Sequence, residues 1–566
     1  MDDSEIFDVA IVGYGPVGAA LAILLGQRGH RVVVLERYTE PYPLPRAVHY
    51  DHEVARILQS CGIAERCATI VEPAEVYEFQ NADGKALVRF GRRGNGPSGW
   101  PQSSMFSQPE LEAVLFASVD EIPRIEVRRG WAVADLADDG EHVVVRSATG
   151  SVRARYVVGC DGANSTVRSL TGITLEDQAF FYDWLVVDVV FNEPRVFDPL
   201  NVQICDPARP TTAVSGGPGR RRWEFMALPG ESIEFLNEEA TAWRLLERFD
   251  ARPENARLEK HAVYRFQARW VEEWRRGRVL LAGDAAHQTP PFAGQGLCSG
   301  LRDAANLAWK LDLVLRDLAP DALLDAYGLE RGPSMRAVIQ LAIDMGKLIC
   351  VADPDEAAAR DAAFMAADDG GLTDIPAFPP IAQGVILAGS PNAGELFIQA
   401  EVEAGGRRTR FDDAVGAGWR LVTPGRARAR PRPRRVVRDH RWRRGGVRLW
   451  SPVAPRRRWD LPRVVCGPRR RGGVAATRLL ALRHGDAGGG RTGARALIAG
   501  RASVRLRIDF PEVPCGHGTR TARALPRGGR LRGAAVRHPV RAPPAVVETA
   551  AQRARRRARR QPQRRP

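Results

Sequence analysis

Hydrophobic and polar positions divide this chain into a front that reads as regular elements and a back that does not. Asp8-Val9-Ala10-Ile11-Val12 is a short apolar run, the pattern of a strand buried on both faces. Ala19 to Gly29 then reads as a helix, and Arg31 to Leu35 as a second apolar strand ending at Glu36. Residues 156–159 and 278–282 repeat the apolar run. Between them, Trp184 to Val190 and Arg222 to Ala227 alternate in character, which predicts strands of an antiparallel sheet. A helix-length amphipathic stretch follows from about Cys298 to Leu311. Strands interleaved with helices predict an α/β fold, and 566 residues predict two or three domains.

Composition changes that picture at one place. Residues 425–566 contain 40 Arg, no Lys and 6 acidic residues, while residues 1–424 contain 43 basic and 61 acidic ones. The front is therefore acidic and the net charge of +16 belongs to the back. Arg, Ala, Gly and Pro make up 92 of those last 142 residues, too little apolar area to offset chain entropy, so disorder is expected there. Codons built only from G and C encode these four residues, so 425–566 reads as out-of-frame translation of a GC-rich gene. The competing reading is a basic tail for nucleic acid or an anionic membrane. The eight cysteines form no CxxC pair and no metal-ligand spacing, which predicts no metal and fits a reducing cytoplasm. No basic, apolar leader opens the sequence and no apolar run is long enough to span a membrane.

The chemistry begins at Gly13, Gly15 and Gly18, which have G-x-G-x-x-G spacing between the first strand and helix. The first glycine permits the turn, the second lets a pyrophosphate approach, and the third lets helix and strand pack closely. The helix N-terminus offers N–H groups to phosphate, and Glu36 is placed to accept from a ribose diol. This motif predicts a dinucleotide without distinguishing FAD from NAD.

Three further segments carry a resemblance: LPRAVHYDHEVARIL (44–58), YVVGCDGANSTVR (156–168) and GRVLLAGDAAHQTPPFAGQGLCSGLRDAANLAWKL (277–311). Over roughly residues 5–424 the chain resembles the group A flavoprotein monooxygenases, nearest to 3-(3-hydroxyphenyl)propionate hydroxylase and the phenol-hydroxylase-like enzymes. The resemblance implies a discontinuous Rossmann-like FAD-binding domain (5–175 and 275–390) with an interleaved antiparallel-sheet substrate domain (176–274). It implies the start of a thioredoxin-like domain at 391–424. FAD would be held by Gly13, Gly15, Gly18, Glu36, Arg37, Arg46, Gln108, Asp161, Gly283 and Asp284. The loop residues Pro291, Gly294, Gln295 and Gly296 would approach the flavin ring, with the helix beginning near Cys298 pointing its N-terminus at it. Relatives often carry Asn in place of Cys298, a tolerable change if the contact is made by backbone. His287 reads as a packed histidine after a strand end.

The implied reaction is NAD(P)H- and O2-dependent hydroxylation of a phenolic acid such as 3-(3-hydroxyphenyl)propionate or 3-hydroxycinnamate through a flavin C4a-hydroperoxide. No second G-x-G-x-x-G occurs in 1–424, so NAD(P)H is expected to visit without a domain of its own. Candidate bases are His49 and Tyr264, with Tyr50 and Asp51 behind them, each set against a plain loop or core role. Arg209 and Arg222 are candidates to hold a substrate carboxylate. A small-molecule phenol, with neither nucleic acid nor membrane, is the expected partner, and a homodimer is compatible with the family. The alternatives are a polyketide or antibiotic tailoring hydroxylase, and, in another class, an inactive flavin-binding protein or a nucleic-acid binder led by its tail.

Overall fold

A computed structural model describes residues 6–367, most of 371–422, and strand segments at 448–449, 473–476 and 480–483. Apart from those segments, the 425–566 tail and the readings made of it lie outside the described residues. Two units divide the chain after Leu506, and every described residue belongs to the first.

The apolar runs form one sheet in the order Arg275–Arg276, Val279–Leu281, Gly150–Gly159, Ile6–Val12, Val32–Glu36, Ile125–Arg129. All neighbours are parallel except the first pair. Central strands buried on both faces explain the continuous apolar runs. The helices Pro16–Gly26 and Gly296–Leu315 pack together, and Pro at the first helical position of the former needs no N–H partner.

The second sheet runs His287–Gln288, Ala256–Val271, Leu175–Phe191, Arg220–Met226, Thr211–Ser215, Asn201–Ile204, Val76–Gln80, Ala86–Gly91. Its last two strands come from within the 5–175 stretch, so the sequence division at 176 is too late for this sheet. Val76–Gln80 joins by parallel pairing to Asn201–Ile204, a partner more than a hundred residues away that no local pattern announces.

The two faces of this sheet differ. Leu185, Val187, Val189, Trp223, Phe225 and Ala213 share one face and pack on Ala242 and Leu246 of the Glu239–Leu246 helix. The opposite face carries Trp184, Val186 and Asp188, paired with Met226, Glu224 and Arg222, and then Thr212 and Gln203. Period-2 alternation would normally send such polar positions to water, yet Asp188, Arg222 and Glu224 are buried. The polar face covers the 44–48 and 290–296 loops: Phe292 packs on Trp184 and Phe266, while the Arg222 guanidinium and Lys260 ammonium donate to the Arg46 and Pro45 carbonyls.

Candidate active site

Gly13, with φ +102°, leaves no room for a Cβ, which would sit 2.4 Å from the Cys160 carbonyl oxygen; at Gly18 it would sit 2.1 Å from that of Gly13. Protein packing accounts for both. At Gly15, before the Pro16–Gly26 helix, a Cβ would meet nothing within 4 Å. Room for a ligand, rather than for protein, is what this glycine leaves. Across the turn the Glu36 carboxylate accepts from the Tyr14 N–H (2.8 Å) and the Tyr38 N–H (2.9 Å). Each oxygen keeps a lone pair for a ribose hydroxyl.

Neighbouring sequence candidates divide between ligand-facing and structural placements. Arg37 is exposed over the Tyr38 ring, and Arg46 is exposed beside Glu112 (3.2 Å). Gln108 is buried: its Oε1 accepts from the Ala47 N–H (2.7 Å) and its Nε2 donates to Glu112 (2.7 Å), so its amide fixes the Arg46 loop. The Asp161 carboxylate accepts from the Ser165 hydroxyl (2.5 Å) and the Val167 N–H (3.0 Å), stabilising the first turn of the Thr166–Thr171 helix. Its oxygens point into their own turn. At the neighbouring Gly162 a Cβ would meet nothing within 4 Å, so the backbone there is open.

At the edge of the parallel sheet, Gly283 turns the chain with φ +63° and donates its N–H to Asp303 (3.1 Å). Asp303 also takes His287 Nε2 (2.6 Å) and Arg331 Nε (2.6 Å), a fully buried arrangement; burial raises its carboxyl, but these two partners outweigh it and hold it below the usual range. His287 is thus a packed, structural histidine. Asp284, one residue on, is different. Its side chain is accessible and accepts no hydrogen bond from any described residue, while enclosing protein pushes its carboxyl pKa up. This acceptor is open to solvent and has no protein donor among the described residues. The ribityl hydroxyls of FAD are donors of the kind it lacks.

The loop beyond begins with the single 3-10 turn Pro291–Ala293 and leaves it through Gly294, at φ +64°. Gln295 is held by Arg302 (2.9 Å), which also binds Asp51 and Glu53. A Cβ on Gly296, first residue of the 20-residue helix, would meet nothing within 4 Å. The Cys298 thiol lies behind the loop, 3.8 Å from the carbonyl oxygens of both His49 and Gly294. The front of the loop therefore presents backbone, as a flat ring and a charge-stabilising helix end require. The orphan acceptor at Asp284, the room at Gly15 and this bare loop fit FAD.

The candidate bases fare less well. His49 Nδ1 lies 3.1 Å from the Gly294 carbonyl oxygen and its Nε2 lies 3.2 Å from Arg92 Nη1. A carbonyl only accepts and a guanidinium only donates, so the ring is the neutral Nδ1–H tautomer with its lone pair engaged. Burial, then the Arg92 charge, lowers its pKa to about 4. His49 supports the loop and is a poor proton acceptor. Tyr264 lies under the Lys260 ammonium (4.5 Å), with its phenol raised by burial and by Tyr42, so it stays protonated. Asp51 is taken up by Arg302 and by capping the His52–Ser60 helix; Tyr50 is packed on Phe106. The arginines proposed for a carboxylate are also committed. Arg222 makes a two-pronged pair with Asp188 (2.7 and 2.8 Å), and Arg209 one with Glu231 (2.6 and 2.5 Å).

Sequence reasoning missed Arg92, Glu224, Arg302 and Asp303. Arg302 and Asp303 were readable as charges on the inward side of an amphipathic helix. Glu224 faces the loops at 3.8 Å from Arg222, its carboxyl raised by burial.

The sequence profile of the FAD binding domain family matches residues 7–342. A probable NADH-specific resorcinol 4-hydroxylase of Rhodococcus jostii (strain RHA1) is 42% identical over 425 residues, covering 74% of this chain and 79% of that protein. A 3-(3-hydroxy-phenyl)propionate/3-hydroxycinnamic acid hydroxylase of Mycobacterium sp. (strain JLS) is 35% identical over 441 residues, covering 74% and 76%. Among solved structures, p-nitrophenol 4-monooxygenase from Pseudomonas putida DLL-E4 superposes with a TM-score of 0.58 at 28% identity, over 64% of this chain and 94% of that one. A ternary complex of aklavinone-11 hydroxylase with FAD and aklavinone gives 0.62 at 26% identity, over 75% and 84%. The chain belongs to the family of FAD-dependent aromatic-ring hydroxylases, with FAD as cofactor and a nicotinamide nucleotide as reductant.

Proposed function

We propose that the chain hydroxylates a monocyclic phenol bearing a second polar group meta to the hydroxyl, with NADH as donor. 3-(3-Hydroxyphenyl)propionate, 3-hydroxycinnamate and resorcinol are the first compounds to test, being those for which the relatives are named. One observation carries the reading: a buried, polar sheet face closes over the flavin loop. Tyr77, Gln203, Thr212 and Glu224 offer hydrogen-bonding groups there, and Trp184, Phe266 and Phe292 offer an aromatic wall.

Bound FAD, reduced by the nicotinamide and exposed to O2, supplies the electrophilic oxygen. The chain supplies position and exclusion of water. The polar groups orient the phenol, and the Phe292–Trp184–Phe266 wall keeps water from the reacting face. Gly294 and Gly296 would leave the flavin ring room against the loop backbone, with His49 fixing the Gly294 carbonyl. Glu224, its carboxyl raised by burial, is the acid on this face with capacity to take a proton from the phenol.

The test is a panel running from the three meta-substituted phenols to bulky polycyclic phenols, scored by phenol-stimulated NADH consumption and by product gaining one oxygen. Turnover confined to the polycyclic compounds would replace this reading with the tailoring alternative. NADH oxidation that no phenol stimulates would refute catalysis of this class.

A further inference from the structure

Arg92 follows the Ala86–Gly91 strand and donates through Nη1 to His49 Nε2 (3.2 Å) and the Ser103 hydroxyl (3.2 Å). Its Nε is buried with no acceptor, and Nη2 meets none among the described residues. Three of the five guanidinium N–H groups are therefore unmatched. No carboxylate lies within 4.0 Å of it among the described residues. The nearest on the His49–Asp51 strand, Asp51, is engaged by Arg302.

Two buried arginines show what that edge does when filled. Arg222 clamps Asp188 with Nε and Nη2, and Arg56 clamps Asp412 with the same two nitrogens. In Arg92 this fork is vacant. A guanidinium Nε sealed from water without an acceptor is costly, and the fold tolerates it where function supplies the partner. The location points the same way: His49 connects Arg92 to the Gly294 carbonyl of the flavin loop, and the Tyr77 ring, on the polar sheet face, lies 5.6 Å from the guanidinium.

We propose that the Nε–Nη2 edge of Arg92 binds an anionic oxygen of the substrate and so selects for phenols that present one. This rests on the phenol-hydroxylase reading above. The oxygen is either the ionised phenol itself or a side-chain carboxylate. Around Arg92 the titratable and charged groups are His49 and Asp51 on one strand, Tyr77 on the Val76–Gln80 strand of the second sheet, and Cys298 and Arg302 on the helix behind. None supplies a free counter-charge: His49 is neutral, Asp51 is paired, and burial keeps the Tyr77 phenol and Cys298 thiol protonated. When a phenol ionises on binding, its proton passes to Glu224 and from there to bulk buffer.

The experiment uses the FAD-loaded protein and the variants Arg92→Met and Arg92→Lys, with Arg93→Met, an exposed neighbour, as control. 4-Nitrophenol, whose phenolate is yellow and whose phenol is colourless, reports ionisation on binding by difference absorbance. Benzoate reports carboxylate binding through the flavin spectrum. Wild type is expected to bind at least one of these probes as the anion, ionising 4-nitrophenol at lower pH than free solution does if the oxygen is phenolic. Arg92→Met should weaken that binding by about tenfold to a hundredfold, Arg92→Lys should recover part of it, and Arg93→Met should change nothing. Loss with 4-nitrophenol alone assigns the phenolic oxygen; loss with benzoate alone, together with a raised KM for 3-(3-hydroxyphenyl)propionate and not for resorcinol, assigns the carboxylate. Equal affinity of wild type and Arg92→Met for both probes, or no binding of either by wild type, overturns the proposal. Binding through Arg92 without turnover of any panel phenol would instead leave the anion site standing and remove the proposed reaction.

Discussion

Phe292 meets Trp184 edge to face, with ring centroids 5.6 Å apart and planes at 65°, so the 290–296 loop is fastened to the sheet above it by aromatic packing. Phe180 and Phe266 complete the surround at 6.3 and 6.1 Å. Phe292→Ala should destabilise the protein by about 3–5 kcal/mol, and Phe292→Leu by less. Urea unfolding measures the loss. The Ala variant should also form less product per NADH, since the wall that excludes water is breached.

Asp284 accepts nothing from the protein, so its removal should harm cofactor binding more than folding. Asp284→Ala should raise the FAD dissociation constant by about tenfold or more. Its apoprotein should melt no lower than wild-type apoprotein, because an enclosed carboxylate has been deleted. A large drop in apoprotein melting temperature would show that Asp284 serves the fold.

The Arg222–Asp188 pair should behave as structure. Arg222→Ala leaves the Asp188 carboxylate buried and alone and should cost about 3–5 kcal/mol. Replacing both partners with apolar residues should recover much of that. Its effect on KM should be the same for resorcinol and for 3-(3-hydroxyphenyl)propionate; a selective loss with the acid would return Arg222 to the role read from the sequence.

His49 makes stability depend on pH in a stated direction. Its folded pKa, about 4, lies below the ordinary 6.5, so the unfolded chain takes up the proton first. The neutral form's contribution is complete above about pH 6.5 and is lost as pH falls toward 4, by about 3 kcal/mol in all. Other buried acids add to acid lability, so the comparison is with His49→Gln, which can donate to Gly294 and accept from Arg92 without titrating. The fall in urea midpoint between pH 7.5 and 4.5 should be smaller in that variant.

What the sequence disclosed was backbone logic. Gly13, Gly18, Gly283 and Gly294 stand where turns or close approaches demand them, and such demands repeat across a family. Side-chain roles were harder. Alternation in Arg222 to Ala227 shows two faces without saying that both are covered, so Asp188 and Glu224 look solvated until the sheet is seen lying on the loops. Arg222 and Arg209 resemble free cations because their acids lie 34 and 22 residues away. Arg92, in the run Gly91-Arg92-Arg93-Gly94, reads as an ordinary surface arginine. Its neighbours come from strands that pair only in the folded protein.

Residues 397–422 are bound into the part of the chain in front of them. The buried Arg56 guanidinium, on the His52–Ser60 helix, is neutralised by Asp412, which Arg420 also grips (2.7 Å), and donates besides to the Phe397 carbonyl. Gln399 bonds Gln59 and the Ser98 carbonyl. This short stretch therefore completes the electrostatics of the part of the chain in front of it. Cut at 395, the protein keeps a sealed-in cation with no answering charge; cut after Val422, it loses none of these bonds. A salt link closing over 356 residues of chain thus ties residues 397–422 to the His52–Ser60 helix.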